Sequence, residues 1–131
     1  VPGIFPSALP SALVVEDDPE IRKLVRKYLE KLGFAVEEAA TGKAALAMLE
    51  TITVPAIVCL DLMLPDSSCY VICERIRSLE RFGEVPVVII SARSMPPDRA
   101  LAEEVGASAY LIKPIRWASF QELIQGLTNK T

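Results

Sequence analysis

Apolar positions along this chain follow two alternating patterns, short continuous runs and longer stretches at helical spacing. Ala12–Val15 is a short run that ends in the acidic cluster Glu16-Asp17-Asp18, and Pro19 suits the first turn of a helix. Ile21, Leu24, Val25, Tyr28, Leu29 and Leu32 then recur on one helical face until Gly33 stops them. Phe34–Glu38 reads as a strand, and Thr41–Thr51 as a helix with Ala45, Met48 and Leu49 on one side. Ala56–Leu60 is again a short buried run, ending at Asp61. The turn-rich piece Pro65-Asp66-Ser67-Ser68 leads into a helix carrying Cys69, Ile72, Cys73, Ile76 and Leu79. Val85–Ile90 is a strand with Pro86 at its start, where a missing N–H is tolerated. Pro97–Val105 makes a short helix closed by Gly106, and Ser108–Ile112 a fifth strand. Trp117, Phe120, Leu123, Ile124 and Leu127 stripe the last helix.

Five strands and five helices therefore alternate. Strands that are apolar throughout are buried on both faces, which requires a parallel sheet covered by helices. Right-handed crossovers narrow the topology further. In such α/β sheets ligands bind beyond the carboxyl ends of the strands, so the polar residues that matter are expected there.

Composition narrows the function classes. The 131 residues fit one domain, and 51% hydrophobic against 24% charged is enough for a real core. A net charge of −3 offers no basic face for nucleic acid or anionic lipid, so any DNA binding would belong to another domain. The apolar runs fall well short of the roughly 20 residues that a membrane span needs. Cys59, Cys69 and Cys73 cannot all pair, and with no histidine a Cys/His metal site is excluded; reduced thiols in a cytoplasmic protein are expected. Cys69 and Cys73 would share a helix face, as packing residues. Residues 1–10, with three prolines and a glycine, read as a linker or tail and lack the pattern of a signal peptide. The domain is expected over 11–128, with 129–131 a C-terminal tail. The start at Val1 suggests a fragment or a processed chain.

The strands end in chemistry. Strand one ends in Glu16 and Asp17, strand three in Asp61, strand four in Ser91 and strand five in Lys113. Taken singly, the acidic cluster could cap the following helix, Asp61 and Ser91 could be turn residues, and Lys113 could be solvated charge. Five such groups on one rim of an aliphatic sheet carry more weight. Crowded carboxylates repel, and one would be driven toward neutrality unless a hard divalent cation such as Mg2+ resolves the conflict. Asp61 would then be a carboxylate nucleophile attacking phosphorus to form a mixed anhydride. The metal would bridge Asp61, Asp17 and a phosphoryl oxygen. Lys113 would balance a second oxygen as a point charge, and Ser91 would offer its hydroxyl to a third.

Four segments make a resemblance explicit: Leu13-Val14-Val15-Glu16-Asp17-Asp18-Pro19, Cys59-Leu60-Asp61-Leu62-Met63-Leu64-Pro65-Asp66, Val88-Ile89-Ile90-Ser91-Ala92 and Tyr110-Leu111-Ile112-Lys113-Pro114. In this order, with 30 residues from Asp61 to Ser91 and 22 from Ser91 to Lys113, they resemble the receiver domain of bacterial two-component response regulators from about Ser11 to Leu127. The resemblance implies a flavodoxin-like doubly wound sheet of strand order 2-1-3-4-5. It implies Asp61 as phosphoacceptor and Mg2+ or Mn2+ held by Asp17, Asp61, the Met63 backbone carbonyl and, through water, Glu16. Tyr110 falls at the position of the switch aromatic coupled to Ser91, and the Lys113–Pro114 bond is often cis in the family. The implied partners are a sensor histidine kinase or phosphotransfer domain in a phosphorelay, and an output domain or a second copy meeting the Pro97–Leu127 face. Such a domain is not an ordinary enzyme, since it catalyses only its own phosphorylation and dephosphorylation. Arg93 and Met63 flank the site and are expected to set how quickly the phosphoryl group is lost.

Three departures from the family stand out. Cys69 occupies the place of the usual glycine eight residues past the phosphoacceptor, so the loop from Leu64 to Ser68 is expected to run differently. Ile115 stands where phenylalanine is common after the Lys-Pro pair, and Ser91 replaces a frequent threonine while keeping the hydroxyl. The rival readings are an unphosphorylated receiver-like interaction module, a flavodoxin-like cofactor binder and a haloacid-dehalogenase type phosphatase. The first would be marked by loss of Asp61, Asp17 or Lys113, and all three are present. The second needs a phosphate-cradling loop where three acidic residues stand, and the third a D-x-D run that Glu16-Asp17-Asp18 does not supply.

Overall fold

In the computed structural model, the residues described are 9–92 and 96–128. Most of the N-terminal segment read as a tail, Arg93 and residues 129–131 lie outside them. Five strands, β1 (Ser11–Val15), β2 (Ala35–Ala39), β3 (Ile57–Asp61), β4 (Val87–Ser91) and β5 (Ala109–Ile112), alternate with five helices. These are α1 (Pro19–Lys31), α2 (Gly42–Leu49), α3 (Cys69–Ser78), α4 (Pro96–Glu104) and α5 (Trp117–Thr128). All strand pairs are parallel, in the order β2-β1-β3-β4-β5. The expected architecture and order both hold.

The pleat divides the core in two. Leu13, Val15, Val58, Leu60, Val87 and Ile89 face α2, α3 and α4, packing with Leu49, Ile72, Cys73, Ile76 and Ala102. Their neighbours Ala12, Val14, Ile57, Cys59, Val88 and Ile90 face α1 and α5, packing with Val25, Leu29, Phe120 and Ile124. Period-two geometry thus turns each apolar run into two buried faces, which is why these strands tolerate no polar residue before their ends.

Local chemistry sets the boundaries. Asp18 caps α1 by accepting from the Glu20 and Ile21 amides, with Pro19 in the first turn. Gly33 follows α1 at φ 95, a left-handed conformation that costs glycine little. Thr41 lies outside α2 as its cap, because its hydroxyl accepts from the Ala44 amide, so that helix is shorter than its apolar pattern. β4 begins at Val87 because Pro86 has no N–H for the ladder. A 3-10 turn at Glu80–Phe82, too short to show in periodicity, links α3 to β4.

One arginine staples the far end of the sheet. Arg77 of α3 donates to the Gly106 carbonyl through Nε (3.0 Å) and Nη2 (2.7 Å), and to the Val85 carbonyl through Nη1 (2.8 Å). Arg77→Ala is expected to lower stability by about 2 kcal/mol in urea unfolding, because it orphans part-buried carbonyls in two loops.

Candidate functional site

Register brings the strand ends level. Val15 pairs with Leu60, Asp61 with Ile90, and Ser91 with Ile112, so the residues closing β1, β3, β4 and β5 meet on one rim. Backbone bonds hold the exits: Glu16 donates its N–H to the Ala39 carbonyl, Leu62 to that of Ile90 and Lys113 to that of Ser91. The acidic cluster divides its work. Asp18 is spent on capping α1, whereas Glu16, Asp17 and Asp61 have carboxylate oxygens within 4.8 Å of one another. Glu16 and Asp61 are buried and Asp17 is exposed.

Lys113 lies over the two buried carboxylates, its Nζ 3.1 Å from Glu16 Oε1 and 3.5 Å from Asp61 Oδ1. Burial alone would lower the Lys113 pKa, but the hydrogen bond to Glu16 and the charges of Asp61 and Glu16 outweigh it, and the net shift is upward. Glu16 is the carboxyl that crowding disturbs. Burial first, then the Asp61 carboxylate beside it, push its pKa from 4.5 up to about 7. Three hard oxygen donors carrying more negative charge than one lysine can balance fit a hard divalent cation, and Asp17 is the exposed member of the three.

The remaining expected residues surround this centre. Met63 donates its N–H to Asp61 Oδ1 (3.3 Å), and its side chain is exposed. Ser91 is buried at the end of β4. The Lys113–Pro114 bond is cis. Tyr110 is not part of the carboxylate cluster; it is half-buried on β5, with the Arg99 guanidinium 5.6 Å from its ring centre. Cys69 opens α3 as a fully buried core residue, and none of the described non-glycine residues has positive φ. Burial pushes the Cys59 and Cys69 thiols up to about 12, and both are packing residues. Ile115 is also buried, within the α1 and α5 face of the core.

Two supporting residues escaped sequence reasoning. Arg22 of α1 donates from Nη1 to the Glu16 carbonyl (2.9 Å) and from Nε to Glu38 (3.1 Å), bracing the acidic loop against β2. Asp66 reaches across to α2. Arg22 looks like ordinary solvated charge in the sequence and Asp66 like a turn residue, and only a contact distant in the chain distinguishes them.

A doubly wound sheet gathers three acids and a lysine on its carboxyl rim, and comparison with known proteins assigns the chain to a family. The chain belongs to the response regulator receiver domain family, which it matches over residues 12–125. It is 32% identical to the DNA-binding dual master transcriptional regulator RpaA of Synechocystis, over 94% of this chain and 51% of that protein. It is 38% identical to the transcriptional regulatory protein GltR of Pseudomonas aeruginosa, over 79% of this chain and 43% of that one. The chain thus spans about half the length of the curated relatives it matches. Among solved structures, it superposes on the receiver domain of a Pseudomonas aeruginosa sensor histidine kinase with a TM-score of 0.84 at 28% identity, covering 94% of this chain and 100% of that one. That structure has a magnesium ion coordinated in its active-site cleft. Among the described residues, no helix is long and apolar enough to cross a membrane.

Proposed function

We propose that this domain is a phosphorylation-driven switch in which Asp61 accepts a phosphoryl group. The supporting observation is the Lys113 ammonium within 3.5 Å of a buried Asp61 that shares its pocket with Glu16 and Asp17. An Asp61 carboxylate oxygen attacks phosphorus, the P–O bond of the acyl phosphate forms, and the bond to the donor's leaving group breaks. The donor is a phosphohistidine on a sensor kinase or phosphotransfer domain, or a small acyl phosphate. Lys113 releases its hold on Asp61 to pair with one phosphoryl oxygen, and the Ser91 hydroxyl donates to another. When bound, Mg2+ or Mn2+ neutralises charge on the phosphoryl oxygens; Asp17, Asp61 and the Met63 carbonyl would hold it, and Glu16 through water.

The added charge draws Ser91 toward the site and frees space for Tyr110 to turn inward, which repacks α4, β5 and α5. That surface would carry the signal to an output domain or to a second copy of the chain, in the cytoplasm. A DNA-binding output such as the one in RpaA's name would sit in a different domain.

Incubation with acetyl phosphate and Mg2+ is expected to add the mass of one phosphoryl group, and beryllofluoride with Mg2+ to shift the amide NMR signals of residues 91–115. A chain that binds Mg2+ yet gains no mass would instead be a receiver-like interaction module. Unmoved amide signals with beryllofluoride bound would leave the acceptor chemistry standing and refute the switch.

A further inference from the structure

We propose that Asp66 is a positioning residue for the phosphoryl site, holding the β3–α3 loop against the N-terminus of α2 so that the Met63 carbonyl is presented to the site. This rests on the acceptor reading above. Asp66 Oδ1 accepts from the Gly42 N–H (2.9 Å) and Oδ2 from the Lys43 N–H (3.0 Å). Thr41 Oγ1 takes the next amide, Ala44 (3.0 Å), so the opening N–H groups of α2 are satisfied, two of them by a carboxylate from a different loop. Negative charge at a helix N-terminus is also favoured by the helix dipole.

The rest of the loop shows why such a tie matters. Residues 63 to 68 form a hairpin-like excursion, opened by the Met63 amide on Asp61 Oδ1 (3.3 Å) and closed by an isolated antiparallel bridge between Met63 and Ser68. Ser68 then caps α3 by accepting from the Tyr70 amide (3.1 Å). Met63, Pro65, Asp66 and Ser68 are exposed, so Leu64 supplies most of the apolar anchoring. Asp66 joins this excursion to a second element, and it does so where Cys69 has displaced the family's glycine. The approach is close: a Cβ built on Gly42 would lie 2.4 Å from Ser67 Cβ, so only glycine lets α2 and the loop meet this way.

The test compares the two ends of α2. Asp66 acts at its start, whereas Arg81 donates to the Leu49 and Ile52 carbonyls at its end and is remote from the phosphoryl site. In calorimetric Mg2+ titration of the full chain, Asp66→Ala is expected to weaken binding about tenfold and Asp66→Asn, which keeps one acceptor, about threefold. Gly42→Ala is expected to weaken Mg2+ binding as well, although alanine is the better helix former, because its methyl must displace Ser67. Arg81→Ala should lower the thermal midpoint and leave the Mg2+ affinity within about twofold of wild type. Mg2+ affinities for the Asp66 variants equal to wild type, or an equal loss in Arg81→Ala, would overturn the proposal. Failure of the wild type to gain a phosphoryl group while binding Mg2+ normally would sink only the acceptor reading; a wild type that binds no Mg2+ would sink both.

Discussion

Asp61→Asn is expected to abolish phosphoryl incorporation from acetyl phosphate and, at the same time, to stabilise the metal-free protein by about 1 kcal/mol. The first effect follows from the nucleophile: an amide oxygen does not form the mixed anhydride. The second follows from crowding. Asp61 lies 4% exposed beside Glu16, and its charge is one reason the Glu16 pKa climbs to about 7. An asparagine removes that repulsion, keeps an oxygen for the Met63 amide, and adds an N–H that Glu16 can accept. Lys113 retains its contact with Glu16, so no buried charge is left unpaired. Intact mass after acetyl phosphate treatment reads the first effect and urea unfolding in chelator the second. A variant that still gains a phosphoryl group would show that Asp61 is not the acceptor, and a destabilised one would show that its charge is not crowded.

Removing the lysine works in the opposite direction. Lys113→Ala is expected to slow phosphorylation about 100-fold, by analogy with loss of a single donor aimed at developing charge. It should also destabilise the metal-free protein by about 2 kcal/mol at pH 8. That figure lies below the value for a fully buried pair because Lys113 is partly exposed, 19% by side chain. The loss should depend on pH with a definite sign. The Glu16 pKa is raised on folding, from 4.5 to about 7, so the stability this group contributes is complete below 4.5 and is lost as pH rises through 7. The Lys113 hydrogen bond is one of the influences holding that pKa down, so in its absence Glu16 keeps its proton to higher pH and its ionised form is destabilised further. The part of the deficit that runs through Glu16 should therefore be small at pH 5, where Glu16 is protonated in both proteins, and largest above pH 7; loss of the Asp61 contact adds to it. Unfolding curves that show equal deficits at pH 5 and pH 8 would mean that the lysine acts through Asp61 or through packing and not through Glu16.

Much of the fold was legible because burial on two faces leaves a plain mark. Runs such as Ile57–Leu60 and Val87–Ile90 have no polar position, and only a covered parallel sheet hides both sides of such a strand. Element edges were less legible. Thr41 reads as a helical residue but caps α2, and Pro86 reads as part of β4 but has no N–H to give, so only its carbonyl takes part, accepting from the Val58 amide. The 3-10 turn at Glu80–Phe82 left no periodic trace.

The site shows the same division. Glu16, Asp17, Asp61, Ser91 and Lys113 were visible as polar residues at the ends of apolar strands, because the interior of this sheet has no other use for them. Which member of the acidic cluster does what was not visible. Asp18 is the helix cap, Glu16 is the group whose proton affinity rises, and Asp17 is the exposed ligand candidate. Those differences of burial arise from neighbours far away in the chain. Arg22, Arg77 and Asp66 were invisible as supports for the same reason.

Continuous apolar runs alternating with stretches at helical spacing by themselves determined the layered sheet, its strands and the rim where chemistry collects, because hydrophobic burial acts on local pattern. Only the tertiary structure decided the order of charges within that rim. Asp17 and Asp61 are 44 residues apart in the chain, and Lys113 comes 52 residues after Asp61. Electrostatic interaction depends on distances of a few ångströms and on the dielectric between the groups, and both are set by packing rather than by spacing along the backbone.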